Sequence, residues 1–211
     1  GVTGVQTCAL PILIGINEVK PKNRKDVDPV ILKLPMYDMI YNDDFFNDSA
    51  RGTIIYINKD FKEKVKHIDI PLRDSIFMEV KVNESIDTML IGCIYRHHDN
   101  TEEEDHILHQ TLRNISRKNY KNIVLAGDFN YPNIDWTNWQ TNSNTINKDS
   151  RFIECIRDCF LHQLINEVTR GRGTDRPNIL DLVLTDEEYL IENLSIDTPL
   201  GKSDHCVIKF D

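Results

Sequence analysis

The chain has 211 residues, 40% of them hydrophobic and 28% charged, and a formal net charge of −9. This is the size and balance of one globular domain with a sizeable core, and it leaves no room for two large ones. The acidic balance argues against a histone-like protein held to DNA by charge alone. It is compatible with a nuclease, whose carboxylates collect a divalent cation and so restore positive character to the site.

From the N-terminus, VTGVQTCALPI (residues 2–12) lacks the basic start and long apolar run of a secretory signal, and Gly4 and Pro11 would interrupt a helix. The stretch resembles the translation of a short-read sequencing adapter, with a disordered tail as the alternative, so the domain is expected over residues 13–211. Apolar or alternating segments predict strands over Leu13–Ile16, Thr53–Ile57, Ile76–Val82, Met89–Tyr95, Ile123–Ala126, Leu180–Leu184 and Cys206–Phe210. TEEE at Thr101–Glu104 is a capping-box pattern, and Ile107, Leu108, Leu112 and Ile115 follow as the apolar stripe of a helix ending near Arg117 and Lys118. A second helix is expected over Lys148–Cys159, with Phe152, Ile153, Ile156 and Phe160 at helical spacing. Residues 137–147 and 171–178 read as loops where a substrate could be met. Strands separated by occasional long helices indicate an α/β sandwich. There is no internal repeat, and no apolar run is long enough to span a membrane.

Cys155 and Cys159 lack zinc-site spacing, and with Cys93 and Cys206 they read as buried free thiols in a reducing compartment. Without a visible export signal, the sequons at Asn47, Asn83, Asn114 and Asn193 read as chance matches.

Chemistry-bearing residues interrupt the strand ends: Glu18 in IGINEVKP, Asp128 and Asn130 in GDFN, Asp181 in NILDLVLT, and Ser203, Asp204 and His205 in SDH. Strand packing could gather them although they are far apart in sequence. A hard divalent ion such as Mg²⁺ takes oxygen ligands, which Glu18, Asp128 and Asp204 can supply, and it neutralises charge building on a phosphate. His205 with a buried Asp181 forms a candidate oriented imidazole pair. Asn130 can donate to a phosphate while its carbonyl faces another group.

In this order, IGINEVKPKN, RGTIIYI, IYR, LAGDFN, NILDLVLT and SDH resemble the endonuclease/exonuclease/phosphatase superfamily. They are most similar to the apurinic/apyrimidinic-endonuclease-like domain of non-LTR retrotransposons. The resemblance implies a DNase I-like, four-layer α/β sandwich, with two packed β-sheets flanked by helices. It also implies an intracellular enzyme, nuclear or cytoplasmic, that nicks DNA with Mg²⁺, or alternatively Mn²⁺. The nick would leave a 3′-hydroxyl primer for a reverse transcriptase domain of the same polyprotein.

Carried over by position, the resemblance makes Glu18 a metal ligand and has Asp204 assist the metal or the phosphate network. Tyr95 would contact the scissile phosphate, and Asp128 would position or deprotonate the attacking water. Asn130 would hold the phosphate and orient Asp128. Asp181 would pair with His205, which would stabilise the pentacovalent transition state or transfer a proton. Two departures stand out: relatives carry an asparagine-bearing strand and a helix ahead of the glutamate strand, and they often have prolines where His97 and His98 stand. Residues 13–211 are therefore expected to lack a first strand and helix, leaving an unpaired sheet edge. The alternatives are a related phosphoesterase acting on a lipid or small phosphate ester, and an inactive truncated fragment that binds nucleic acid.

Taken singly, these residues have plainer readings. Asp128 and Asn130 are turn formers, Tyr95 a core aromatic, Asp181 and His205 a structural pair, and Ser203 a turn residue. His67, His106, His109 and His162 read as structural or surface residues. Arg172, with Arg170 and Arg176, is either a phosphate contact or part of a solvated loop, and Trp136 and Trp139 either stack on a base or pack in the core.

Overall fold

The computed structural model describes residues 10–20, 27–46, 50–82, 87–141, 145–171 and 177–211. Strands β1 (Leu13–Ile16), β2 (Tyr37–Ile40), β3 (Ile54–Asn58), β4 (Val65–Ile68), β5 (Ile76–Lys81) and β6 (Thr88–Tyr95) precede helix α1 (Glu102–Ser116). Then come β7 (Asn122–Asp128), β8 (Ile134–Asp135), β9 (Gln140–Thr141) and helix α2 (Lys148–Asp158). The order ends with β10 (His162–Gln163), β11 (Asp181–Thr185), β12 (Ser195–Asp197) and β13 (Val207–Lys209).

A six-stranded sheet runs β10-β11-β7-β6-β5-β4. Within it only β6 and β7 are parallel, because α1 carries the chain back across the sheet between them. Its residues split by alternation. One face presents Phe77, Leu90, Ile94, Leu125 and Leu182 to Leu108, Leu112 and Ile115 of α1 and Phe152, Ile153 and Ile156 of α2. The other presents Ile76, Met78 and Cys93 to Ile55 and Ile57 of the antiparallel sheet β1-β3-β2, and Val124 and Val183 to Ile196 and Ile208 of the β12–β13 pair. Both faces are thus covered, and each fully buried aliphatic side chain contributes roughly 1.5–3 kcal/mol. Two packed sheets with helices outside make the expected α/β sandwich. On the far side of β1-β3-β2 the described residues form 3₁₀ turns (Pro29–Leu32 and Asp43–Phe46) instead of α-helices, with Leu32 and Phe45 set against Tyr37, Ile54 and Tyr56. Among the described residues β1 is an edge strand, and no helix is long and apolar enough to cross a membrane.

The capping box at the start of α1 is formed as read. Thr101 Oγ1 accepts from the Glu104 N–H at 3.2 Å, while the Glu104 carboxylate accepts from the Thr101 N–H at 2.8 Å. Helix α2 has a comparable cap in Asn147 and Ser150. Two stripe residues are corrected. Ile107 is 42% exposed because the buried face of α1 runs through Leu108, Leu112 and Ile115. Phe160 is 83% exposed because α2 has already ended and its backbone is left-handed, φ 54°.

Strands β2, β4, β8, β9, β10 and β12 escaped the sequence reading; each has only two to four residues, too few for the apolar alternation to show. The loop read at 137–147 contains β9, paired with β8. Trp136 is buried in the main core with Trp139 edge-on against it, so packing accounts for both. Cys93, Cys155 and Cys159 are buried free thiols as expected, whereas Cys206 is only half-buried.

At Gly127 backbone geometry restricts the residue type. Its φ is +142°, and a β carbon there would stand 2.0 Å from the Ile94 carbonyl oxygen on the neighbouring strand. Gly127→Ala is expected to cost about 3 kcal/mol of stability or more, because strain and a backbone clash add. Urea unfolding measures it, and a loss below about 1 kcal/mol would show that β6 and β7 can yield.

Candidate active site

The site begins with strand register. Asp128 ends β7, and its pairing partners are Tyr95 on β6 and Asp181 on β11. Three chemistry-bearing residues therefore lie in one row across adjacent strands, at the end of the sheet. Alternation puts Asp128 on the same face as Val124 and Ala126, which look toward the second sheet layer.

The chain then turns sharply at Asn130, whose φ of 50° is a left-handed conformation that asparagine tolerates. This folds Asn130 back onto Asp128. Its backbone N–H donates to Asp128 Oδ1 at 3.0 Å, and its side-chain amide donates to Oδ2 at 2.9 Å and to the Arg96 carbonyl oxygen at 2.9 Å.

Asp181 is fixed from behind by buried Thr169, whose hydroxyl oxygen accepts from the Leu180 and Asp181 N–H groups at 3.1 and 3.0 Å. The segment before β13 brings His205 onto this edge. His205 Nδ1 is 2.8 Å from Asp181 Oδ2, and Nε2 is 4.0 Å from Asp128 Oδ2. Ser203 takes the turn role expected of it, accepting from the His205 N–H at 3.0 Å.

From the second layer, Glu18 follows β1 with φ 54° and reaches across the gap. Its carboxylate accepts from the Tyr95 hydroxyl at 2.5 Å and from Arg51 Nη1 at 3.2 Å. The neighbouring Asn17 donates to the Ile94 carbonyl oxygen at 3.0 Å, a second tie between the layers beside Tyr95. At the rim, Asp204 Oδ2 accepts from Arg170 Nε and Nη2, both at 2.9 Å.

The electrostatics follow from burial and crowding. Desolvation, then the Asp181 charge, push the Asp128 carboxyl well above the usual carboxylate range, although His205 and the Asn130 N–H pull the other way. Desolvation opposes charge on His205, yet Asp181, Asp128 and Asp204 outweigh it and raise the imidazole to about 9. Burial, then the bond to Glu18, keep the Tyr95 phenol protonated and a donor. Asp204 is partly desolvated, but its own backbone N–H and Arg170 hold its carboxyl below the usual range.

The expected residues Asp128, Asn130, Asp181, His205, Tyr95 and Glu18 thus meet at one rim, with Asp204 beside His205 but engaged by Arg170. Arg172 and Arg176 lie outside the described residues. Ligand atoms of Asp128, Asp181 and His205 all lie within 4.8 Å of one another, and the Glu18 charge acts on Asp128. A concentration of hard oxygen donors around a buried carboxylate fits a divalent cation.

Sequence reasoning gave no role to Arg51, Asn17, Arg96 or Thr169. Arg51 and Asn17 stand inside quoted motifs, RGTIIYI and IGINEVKP, but their roles depend on contacts between sheets that spacing does not reveal. His109 is structural as read: it is buried beside Tyr131, and desolvation lowers its imidazole to about 4.

A sequence profile of the family described as endonuclease-reverse transcriptase matches residues 89–209. Among solved structures the chain is similar to the endonuclease domain of TRAS1, a telomere-specific non-LTR retrotransposon. That likeness has 15% identity, covers 84% of this chain and 80% of that one, and gives a TM-score of 0.61. It is also similar to D. rerio TDP2 complexed with single strand DNA product, at 11% identity, covering 95% and 86% of the two chains, TM-score 0.57. A mannosyl-6-phosphatase of Bacteroides thetaiotaomicron gives 14% identity, 84% and 77% coverage, and TM-score 0.52. No curated protein matches by sequence. At such identities the structural likeness establishes the fold.

The His205 shift carries a sign that can be checked. A histidine with an ordinary value of 6.5 titrates near 9 in the folded chain, so the stability it contributes is complete below 6.5 and lost as pH rises through 9. In metal-free buffer the urea midpoint is expected to fall across that window, and this fall should vanish in His205→Ala. A wild-type midpoint that stays flat over the window would contradict the pairing.

Proposed function

Since this chain belongs to the endonuclease/exonuclease/phosphatase superfamily, through the family described as endonuclease-reverse transcriptase, we propose that it is a metal-dependent DNA-nicking endonuclease domain of a non-LTR retrotransposon. In this reading residues 13–211 form the domain, and a reverse transcriptase domain is its partner. The observation that carries the proposal is the row Tyr95, Asp128 and Asp181, closed by His205 and Asn130.

The chemistry follows from those side chains. Asp128, buried and held by two donors from Asn130, orients a water and accepts its proton as the water oxygen bonds to phosphorus. His205, whose ring is fixed and kept charged by Asp181, donates to the anionic phosphate as charge accumulates. The bond from phosphorus to O3′ breaks and O3′ takes up a proton from bulk water, leaving a 3′-hydroxyl and a 5′-phosphate. Tyr95 presents its hydroxyl beside the same phosphate, and Glu18 with Asp128 offers oxygen ligands for the cation. When bound, Mg²⁺, or alternatively Mn²⁺, supplies charge neutralisation on the phosphate.

Supercoiled plasmid should be converted to the nicked circle in Mg²⁺, with nicks that a DNA polymerase extends without prior phosphatase treatment. Chelation should abolish the reaction, and Asp128→Asn should slow it by about a hundredfold or more. Nicking that persists in chelator would sink the mechanism. Binding without cleavage would favour a fragment that only binds nucleic acid, and faster turnover of a phosphoinositide than of plasmid would favour the related phosphoesterase.

A further inference from the structure

Under the Asp128–Asn130 turn lies a buried cation that the hydrolytic steps leave without a role. Arg96 follows Tyr95 in the connection to α1 and is 2% exposed. Its guanidinium grips Asp105 of α1 with two prongs, Nε to Oδ1 at 2.7 Å and Nη2 to Oδ2 at 2.8 Å. The group sits 4.1 Å from the Tyr131 ring centroid, and Nη1 donates to the Asn130 carbonyl oxygen at 3.0 Å. The Arg96 backbone engages the same turn: its carbonyl accepts from the Asn130 amide at 2.9 Å, and its N–H donates to the Asp128 carbonyl oxygen at 2.8 Å. Asn100 steadies the acid partner, donating to Asp105 Oδ1 at 3.2 Å.

Stability alone does not explain this arrangement, since apolar residues of similar volume commonly replace a buried ion pair at no net cost. What an apolar pair cannot supply is a directed donor. Asn130 holds a left-handed backbone, which asparagine tolerates at a small cost, so the turn depends on contacts that keep it there. Arg96 ties that residue at both carbonyl and side chain, while Asp105 leaves the guanidinium one orientation.

We propose that Arg96, oriented by Asp105, is a positioning residue that holds Asn130, and through it Asp128, in the geometry for water activation. The inference rests on the hydrolytic reading above. A lysine would keep the charge but lack the fork that reaches Asp105 and Asn130 together.

The test compares wild type with Arg96→Met/Asp105→Leu, which removes the pair as a unit, and with Arg96→Lys. Both variants should lose about tenfold to a hundredfold in kcat on plasmid, with KM within about twofold, because the turn is displaced while substrate binding is not. Independently of catalysis, amide hydrogen exchange at Asn130 should accelerate by about tenfold or more, while Leu125 in the middle of β7 keeps its protection. A folded variant with wild-type exchange at Asn130 and wild-type kcat overturns the proposal. If wild type cleaves no phosphodiester, the hydrolytic reading fails and the exchange alone decides whether Arg96 fixes the turn. Should the double variant not fold, Arg96→Lys decides by the same readouts.

Discussion

Everything at the site depends on the register of β7 against its neighbours. A one-residue slip of a strand sends every side chain to the opposite face, and here it would move Asp128 from the inter-sheet rim into the apolar layer beneath α1 and α2. The register is set by residues with no chemistry of their own. Leu125 and Ile123 lock one face against the helices, Val124 packs with Val183 and Ile165 on the other, and Gly127 permits β6 to approach. The geometry of the row is thus a by-product of a well-packed sheet, and the polar side chains emerge where that sheet runs out.

The row also concentrates charge that the fold has to accommodate. Asp128, Asp181 and His205 share a small, partly desolvated volume, in which the shifts of Asp128 and of His205 each depend on the other's charge. Around it the chain sets cations against surplus acids, Arg51 at Glu18 and Arg170 at Asp204. A second acid and imidazole pair, Asp74 and His97 at 2.7 Å, lies beyond Tyr95 and ties the loop before β5 to the strand end.

Much of this was legible in the sequence, for identifiable reasons. GDFN and SDH place polar residues directly against apolar strands, and Asp181 between Leu180 and Leu182, half-buried rather than buried as expected, still takes the partner foreseen for it, His205. The capping box of α1 is a local pattern and was read correctly. What escaped depends on contacts distant in sequence. Arg96 is easily read as one more surface cation because arginine is seldom fully buried. Arg51 and Arg170 have acid partners that only the assembled sheets reveal, and strands as short as β2 and β4 do not announce themselves.

The coupling of Asp181 and His205 can be measured by a double-mutant cycle on plasmid nicking. kcat/KM would be compared for wild type, Asp181→Ala, His205→Ala and the double variant. If the two side chains act as one oriented unit, the double variant loses little more than the more damaging single change. Losses that add in free energy would show two independent residues, and the row assembled by the β7 register would not be the working site.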